Sequence, residues 1–138
     1  EDLIKLVDTQ FLGTEEEIYQ LERMQVIIDS QSSPTATVTL RVDGHAGEAV
    51  AVAEGPIDAV YKAIDKIVKL PAKLESFRIN AVTSGTDAQG EVVVGVAIGE
   101  RVFVGRGLSV DIVEAGAKAY LNALNKIIRA FPKLMIKP

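Results

Sequence analysis

Two segments of the chain combine glycine with an acidic side chain at the expected start of a helix. Gly55-Pro56-Ile57-Asp58 precedes one apolar helical repeat, and Gly105-Arg106-Gly107 precedes Asp111 and a second repeat. Backbone N–H groups at a helix start have no partner within the helix, so they bind anions. A carboxylate beside them accepts hydrogen bonds from a cation. Together these groups suit the carboxylate and the ammonium of a free amino acid.

The Gly105-Arg106-Gly107 segment has two other interpretations. It could hold nucleotide phosphates, although a Gly-Xaa-Gly segment alone is a weak signal and Asp111 in the first helical turn disfavours phosphate. It could also be a bend that lets a strand meet a helix closely. Gly55, before a proline, is expected to have a positive φ angle, which glycine adopts without strain.

Other chemistry has little support in the composition. His45 is the single histidine and the chain has no cysteine, which argues against thiolate metal sites, disulfides and Cys/His catalysis. Glu15, Glu16 and Glu17 are interpreted as a solvated helix start, and the spacing of Asp87 and Glu91 does not fit an EF-hand loop. We assign no catalytic and no metal-binding residue.

The overall charge and hydrophobicity narrow the class of protein. A net charge of −4 over 138 residues argues against nucleic-acid and acidic-membrane partners. No apolar stretch approaches the ~18 residues of a membrane span. The lack of cysteine fits a reducing compartment, and we expect a cytoplasmic protein. Because the chain starts at Glu1, we expect it to be a piece of a longer protein.

The elements that position these segments form a repeated series. Met24–Ile28 is a predicted strand, and residues 29–34 are a polar turn. Strict alternation from Thr35 to Val42 predicts a second strand, which turns at Asp43-Gly44 and returns at 48–53. A helical face follows and ends at Pro71, with its apolar positions at Ile57, Val60, Ile64 and Ile67.

The second half repeats this order. Strands are predicted at 74–83, 91–98 and 101–104, with a tight hairpin at Gly99-Glu100. Ser109 is a candidate N-cap for the last helix. That helix carries an apolar stripe at Ile112, Ala115, Ala119, Ala123 and Ile127.

We therefore predict an α+β fold of two βββα units related by internal pseudo-symmetry, with mainly antiparallel sheets and helices on one face. Repeat one covers about 22–70 and repeat two about 74–129. Gly55 and Gly107 would correspond, 107 − 55 = 52 residues apart, and Asp58 and Asp111 are 111 − 58 = 53 apart. Residues 1–21 are interpreted as a helical linker, in which a Thr14–Glu17 capping box begins a short helix with Ile18 and Leu21 on its apolar side.

Four separated motifs, covering about residues 22–129, resemble the C-terminal regulatory domain of 2-isopropylmalate synthases, also called the LeuA allosteric or dimerisation domain; the related citramalate synthases carry it too. The motifs are Pro34-Thr35-Ala36, EGPIDAVYKAI (54–64), SGTDAQGEV (84–92) and GRGLSVDIVEAGAKAYLNALNK (105–126). Residues 1–21 resemble the helical linker that precedes this domain, and 22–138 would be the regulatory domain itself.

The resemblance implies a regulatory module rather than an enzyme. The parent would be an acyltransferase that condenses acetyl-CoA with 2-oxoisovalerate on an upstream TIM barrel with a divalent metal. This chain would need no cofactor. It would form a homodimer and bind leucine, the end product of leucine biosynthesis, as a feedback inhibitor.

The resemblance also implies a set of effector-binding positions. They comprise the two helix starts, one strand and one turn: Gly55, Ile57, Asp58, Leu74, Phe77, Ala81, Ala88, Asp111 and Ile112. For the apolar members, ordinary core packing stays an alternative. Three other functions stay open: an isoleucine-binding domain of a citramalate synthase, a purely structural dimerisation module, and a small stand-alone enzyme.

Overall fold

The computed structural model describes residues 17–81 and 89–136. Strand–strand–strand–helix occurs twice within them, which confirms the predicted α+β architecture of two βββα units. The elements are β1 (Tyr19–Asp29), β2 (Ser32–Val42), β3 (His45–Val52), α1 (Pro56–Val68), β4 (Lys73–Ala81), β5 (Gly90–Ile98), β6 (Arg101–Ser109), α2 (Ile112–Ala130) and a short 3-10 helix (Pro132–Leu134).

Each unit is a three-stranded antiparallel sheet with its helix on one face. The strand orders are β1-β2-β3 and β4-β5-β6; α1 packs on β2 and β3, and α2 packs on β5 and β6. Alternation explains which face is covered, because successive side chains of a strand point to opposite faces. Val38, Leu40 and Val42 are fully buried under α1, whereas Thr37 and Thr39 lie on the uncovered face.

Tight turns fix the register inside each unit. Asp43 and Gly44 both have positive φ angles, 51° and 85°, as a type I′ hairpin requires. They pair Val42 with His45. Gly99 has a φ of 59° and closes the equivalent hairpin of the second unit. Both turns were predicted from the sequence.

Several predicted boundaries are wrong. β1 begins at Tyr19, so Leu21 lies in a strand and not in a short helix; residues 1–16, including Thr14, lie outside the described part of the chain. The turn after β1 is confined to Ser30-Gln31, because β2 already starts at Ser32. β6 continues to Ser109 and is therefore longer than predicted.

The glycines of the Gly105-Arg106-Gly107 segment lie inside β6, not at a bend. A Cβ on Gly105 would lie 2.7 Å from Ala123 N, and one on Gly107 would lie 2.5 Å from Ala119 N. Real Cβ atoms do not approach other atoms so closely, so both positions require glycine. The expected close strand–helix contact is present, and it runs along the strand under the small residues of α2.

The correspondence between the two units is 56 residues, not 52 or 53. The helix N-caps are Gly55 and Asp111, and 111 − 55 = 56. Strands β3 and β6 start at 45 and 101, again 56 apart. Gly55 therefore corresponds to Asp111, and Asp58 corresponds to Glu114. The shorter spacing was wrong because Gly107 is a strand residue that faces α2.

The two units meet through their helices and through the start of β1. Rings of Tyr61 on α1 and Tyr120 on α2 are stacked, with centroids 4.4 Å apart. The buried Asn125 side chain of α2 accepts hydrogen bonds from the N–H groups of Ile18 and Tyr19, at 2.9 and 2.8 Å, and donates to the Tyr19 carbonyl at 2.9 Å. These contacts link helix α2 to the first strand of the other unit.

Candidate functional site

A cleft of about 350 Å³ lies between the start of α1 and strand β4. The cleft lies between the two units, because α1 belongs to the first unit and β4 to the second. Five of the nine predicted effector positions line it, together with Pro56 and Tyr61: Gly55, Ile57, Asp58, Leu74 and Phe77.

The α1 side of the cleft is a helix start without a side-chain cap. Gly55 is the N-cap, Pro56 is the first helical residue, and no side chain accepts a hydrogen bond from this turn. Proline has no N–H, and Ala59 already donates to the Gly55 carbonyl. The N–H groups of Ile57 and Asp58 are the ones that lack an intrahelical acceptor.

The expectation of a positive φ at Gly55 is wrong. Its φ is −130°, which is extended backbone that any residue adopts. A Cβ built there would lie 3.6 Å from Asp58 Oδ2, an ordinary contact. Glycine is therefore not required at this position by strain; it leaves room beside the Asp58 carboxylate.

The β4 side of the cleft is apolar because of an irregularity in the strand. Residues three apart in a regular strand point to opposite faces. The pairing of β4 with β5 shifts by one residue between Leu74 and Ser76, so Leu74 pairs with Val96 and Phe77 with Val94. Both partners are buried under α2, which places Leu74 and Phe77 on the same, helix-bearing face.

Tyr61 was not predicted as a site residue, although it follows Ile57 by one helical turn and so shares its face. Its ring contacts Phe77 edge-on, with centroids 6.4 Å apart, and its hydroxyl donates to the Gly116 carbonyl at 2.8 Å. Burial, with a contribution from the Asp58 carboxylate, raises the pKa of Tyr61 above its usual 10.0. The Tyr61 side chain is therefore neutral, and its hydroxyl hydrogen is already donated to α2.

The remaining predicted positions do not line this cleft. Ala81 lies at the exposed end of β4, paired with Gly90, and Ile112 lies beside Gly90 at the start of α2. Ala88 lies outside the described residues. Asp111 lines a separate depression against β1.

The second helix start differs chemically from the first, because α2 is capped by its own side chain. Asp111, and not Ser109 as predicted, is the N-cap, and its carboxylate accepts from the Val113 N–H at 2.9 Å. The Ser109 hydroxyl accepts from Asp111 N–H and donates to Glu114. A ligand carboxylate would meet occupied donors and two acidic groups here.

Comparison with known proteins agrees with this architecture. The family model for the LeuA allosteric (dimerisation) domain matches residues 1–128. The chain belongs to this family. It is 44% identical over 138 residues to a 2-isopropylmalate synthase of Nitrosococcus oceani, covering 97% of this chain and 27% of that protein.

Other 2-isopropylmalate synthases show the same relation to this LeuA domain. That of Pelotomaculum thermopropionicum is 51% identical over 111 residues, covering 80% of this chain and 22% of the relative. That of Thermosynechococcus vestitus is 37% identical over 138 residues, covering 99% and 26%. The chain thus spans about a quarter of the length of these relatives.

A second cavity of the LeuA domain, of about 440 Å³, lies where Tyr19 meets α2 and β6. Three of its polar side chains already have partners: Asn125 binds the N–H groups of Ile18 and Tyr19, Arg106 contacts Glu91 at 3.5 Å, and Lys118 contacts Glu114 at 3.8 Å. The buried Tyr19 hydroxyl has no hydrogen-bond partner among the described residues. The α1–β4 cleft is the better candidate for a charged amino acid, because it combines helix-start donors that no described side chain uses with a carboxylate and an apolar wall.

The described part of the LeuA domain holds no cluster of three or more His, Cys, Asp or Glu residues arranged for a metal ion. His45 is exposed at the start of β3. Neither helix in the described ranges has an apolar stretch long enough to cross a membrane. The groups that line the α1–β4 cleft suit the binding of a small molecule: helix-start donors, one carboxylate and an apolar wall.

Proposed function

We propose that this LeuA domain binds leucine in the α1–β4 cleft and thereby inhibits a 2-isopropylmalate synthase of which it is the C-terminal part. The observation that carries the proposal is the juxtaposition of an uncapped helix start, the Asp58 carboxylate and the apolar pair Leu74 and Phe77 in one small cleft. Its volume is at the small end for ligand sites, which suits an amino acid.

Each part of the ligand has a counterpart in the cleft. The ligand carboxylate accepts from the N–H groups of Ile57 and Asp58, where the helix dipole favours negative charge. The ammonium donates to the Asp58 carboxylate. The branched side chain lies against Leu74 and Phe77, which are 40% and 38% exposed and so lose further water-accessible surface when the ligand binds.

Inhibition requires that leucine bind one arrangement of the protein more tightly than another. The cleft suits this requirement, because its two walls belong to different units. Among the described elements, the β4 backbone packs closely on β5 alone, and β4 meets α1 through the Phe77 side chain. A ligand that touches both walls therefore favours one separation of β4 from α1. Typical coupling between two sites is about 1–3 kcal/mol.

A homodimer is the second part of the proposal, and the exposed apolar side chains of β4 support it. Leu74, Phe77 and Ile79 carry 40%, 38% and 52% of their surface in water. Edge strands β3 and β6 are shielded by lysines: Lys66 donates to the Val50 carbonyl and Lys126 to the Val104 carbonyl, both at 2.7 Å. No described side chain shields β4 in this way, whereas at β1, the fourth edge, the Asn125 amide donates to the Tyr19 carbonyl. We therefore propose β4 as the edge that pairs with a second subunit.

Two alternatives use the same fold. Isoleucine, the effector implied for a citramalate synthase, differs from leucine by the position of one methyl group, which an apolar pocket distinguishes by only about 1–3 kcal/mol. A structural dimerisation module would use the β4 surface without any ligand.

The test is a calorimetric titration of the 138-residue chain with leucine, isoleucine, valine and 4-methylpentanoate, which is leucine's carbon skeleton without the ammonium. We expect leucine to bind most tightly and 4-methylpentanoate at least about tenfold more weakly. Tighter binding of isoleucine would favour the citramalate synthase alternative. A dimer by sedimentation that binds none of the four would favour the structural module and refute the effector site.

A further inference from the structure

Among the described residues that line the cleft, Tyr61 is the one whose side chain hydrogen-bonds to the helix of the other unit. Its ring lines the cleft beside Ile57, and its hydroxyl donates to the Gly116 carbonyl of α2 in a buried bond of 2.8 Å. Ile57 lies over the same glycine, since a Cβ on Gly116 would lie 3.7 Å from two of its carbons. The α1 wall of the cleft thus rests on one turn of α2.

The same helix pair has a second, different polar contact. Tyr120 stacks on Tyr61 at 4.4 Å with an angle of 20° between the rings. The Tyr120 hydroxyl donates to Asp65 Oδ1 at 2.5 Å. Tyr120 is not part of the cleft lining. Two tyrosines therefore join α1 to α2, and one of them also faces the ligand site.

The cleft contacts the rest of the second unit through few structural elements. Beyond the cleft itself, α1 packs on that unit through α2, while β4 packs on β5. The Tyr61 ring meets Phe77 of β4 edge-on at 6.4 Å. Tyr61 is therefore in contact with both walls of the cleft and with α2 at once.

We propose that Tyr61 is a positioning residue that couples occupancy of the α1–β4 cleft to the packing of α1 against α2. The inference rests on the proposed function, since it needs a ligand in the cleft. A ligand held between Ile57 and Phe77 restricts the Tyr61 ring. The ring cannot shift without breaking a buried hydrogen bond, which leaves the buried Tyr61 hydroxyl without its acceptor. Occupancy therefore fixes the register of the two helices.

The test compares hydrogen exchange of the chain with and without leucine in wild type, Tyr61→Phe and Tyr120→Phe. In wild type, leucine should slow exchange in the first turn of α1 and, by about fivefold or more, in α2 around residues 116–121. Tyr61→Phe removes only the hydroxyl. We expect its leucine affinity to stay within about tenfold of wild type and its α2 response to fall below about twofold.

Tyr120→Phe is the matched control, because it removes a hydroxyl from the same helix pair without touching the cleft. It should lower the melting temperature yet keep the leucine response in α2. Gly116→Val perturbs the Tyr61 bond from the other side, because a Cβ would already lie 3.4 Å from the hydroxyl oxygen and 3.7 Å from Ile57, which leaves no room for the two methyl groups of valine. It should weaken the α2 response as Tyr61→Phe does, and it replaces that variant if Tyr61→Phe does not fold.

The outcomes separate this inference from the proposed function. A wild-type chain that binds leucine without any slowing in α2 overturns the coupling and leaves the effector site standing. So does a full α2 response in Tyr61→Phe, or an equal loss in Tyr120→Phe, which would make the effect one of general helix packing. A wild-type chain that shows no leucine binding by calorimetry overturns both.

Discussion

Replacing Asp58 by asparagine tests the proposed recognition of the ligand ammonium. Asp58 lies on the lining of the α1–β4 cleft, within the first turn of α1, and its carboxylate is exposed. Asparagine keeps the size and the hydrogen-bonding ability of the side chain but removes its charge. The helix-start donors of Ile57 and residue 58 are unaffected, because they belong to the backbone.

The expected loss follows from the kind of bond removed. A hydrogen bond between charged groups contributes about 1.5–3 kcal/mol, and the exposure of Asp58 argues for the lower end. About 1.5 kcal/mol corresponds to a roughly tenfold weaker affinity for leucine. The variant also loses the favourable interaction of an acid with the helix dipole, about 0.3–1 kcal/mol of stability.

The assay is calorimetry with leucine and with 4-methylpentanoate, accompanied by thermal unfolding. For Asp58→Asn, the affinity for leucine should fall about tenfold, whereas that for 4-methylpentanoate should stay constant or rise, since a like charge has been removed. Glu114→Gln is the control. Glu114 occupies the corresponding position in α2, 114 − 58 = 56 residues on, and lies outside the cleft. It should lose stability without losing affinity.

Unchanged leucine affinity in Asp58→Asn would remove this carboxylate from the site. An equal loss of affinity for leucine and for 4-methylpentanoate would show that the variant had distorted the cleft and had not removed an ammonium contact. An equal loss in Glu114→Gln would assign the effect to net charge.

Three further changes have expected outcomes. Gly55→Ala should lower the unfolding free energy by no more than about 1 kcal/mol, because φ is −130° and a Cβ fits, and the cost is only that alanine is a poorer N-cap than glycine. Gly105→Ala should cost about 3 kcal/mol or more, since its Cβ would lie 2.7 Å from Ala123 N. Chemical denaturation compares the two variants, and equal stabilities would contradict the close packing of β6 on α2. Asn125→Leu leaves the half-buried N–H of Ile18 and the buried N–H of Tyr19 without their acceptor and should lower stability by about 2–4 kcal/mol in the same measurement. An unchanged midpoint would show that this link is dispensable. Burial raises the pKa of Tyr19 to about 12 and raises the pKa values of Tyr61 and Tyr120 above 10.0. Above pH 10 the folded chain therefore keeps phenol protons that the unfolded chain releases. The stability that these tyrosines contribute is complete below pH 10 and is lost as the pH rises towards the folded pKa values. Absorbance of the phenolates should therefore lag behind that of a denatured sample between pH 10 and 12, and coincident curves would contradict the burial of these rings.

Much of the fold could be predicted from local patterns. Alternation from Thr35 to Val42 and the spacing of the apolar residues in both helices are properties of neighbouring residues, and they gave the βββα order and the covered faces correctly. The residues 43–44 and 99–100 predicted their hairpins for the same reason, because turn preferences are local. Element ends were less well predicted, as at β1 and β6, where pairing with a distant strand extends the element.

The candidate site, too, could be predicted from local patterns only in part. Gly55, Ile57 and Asp58 could be chosen from the chemistry of a helix start, whereas Leu74 and Phe77 came from the family resemblance alone. Three residues apart, those two would point to opposite faces of a regular strand. Their common face depends on a shift in the pairing of β4 with β5.

By itself, then, the sequence determined the two units, the faces they bury and the chemistry of the first helix start, since these follow from periodicity and from side chains within one turn. The tertiary structure decided that α1 faces β4 and that Tyr61 reaches Gly116, 116 − 61 = 55 residues away. Such contacts depend on how two sheets and two helices pack together. Their free energy comes from residues far apart in the chain, which no local pattern specifies.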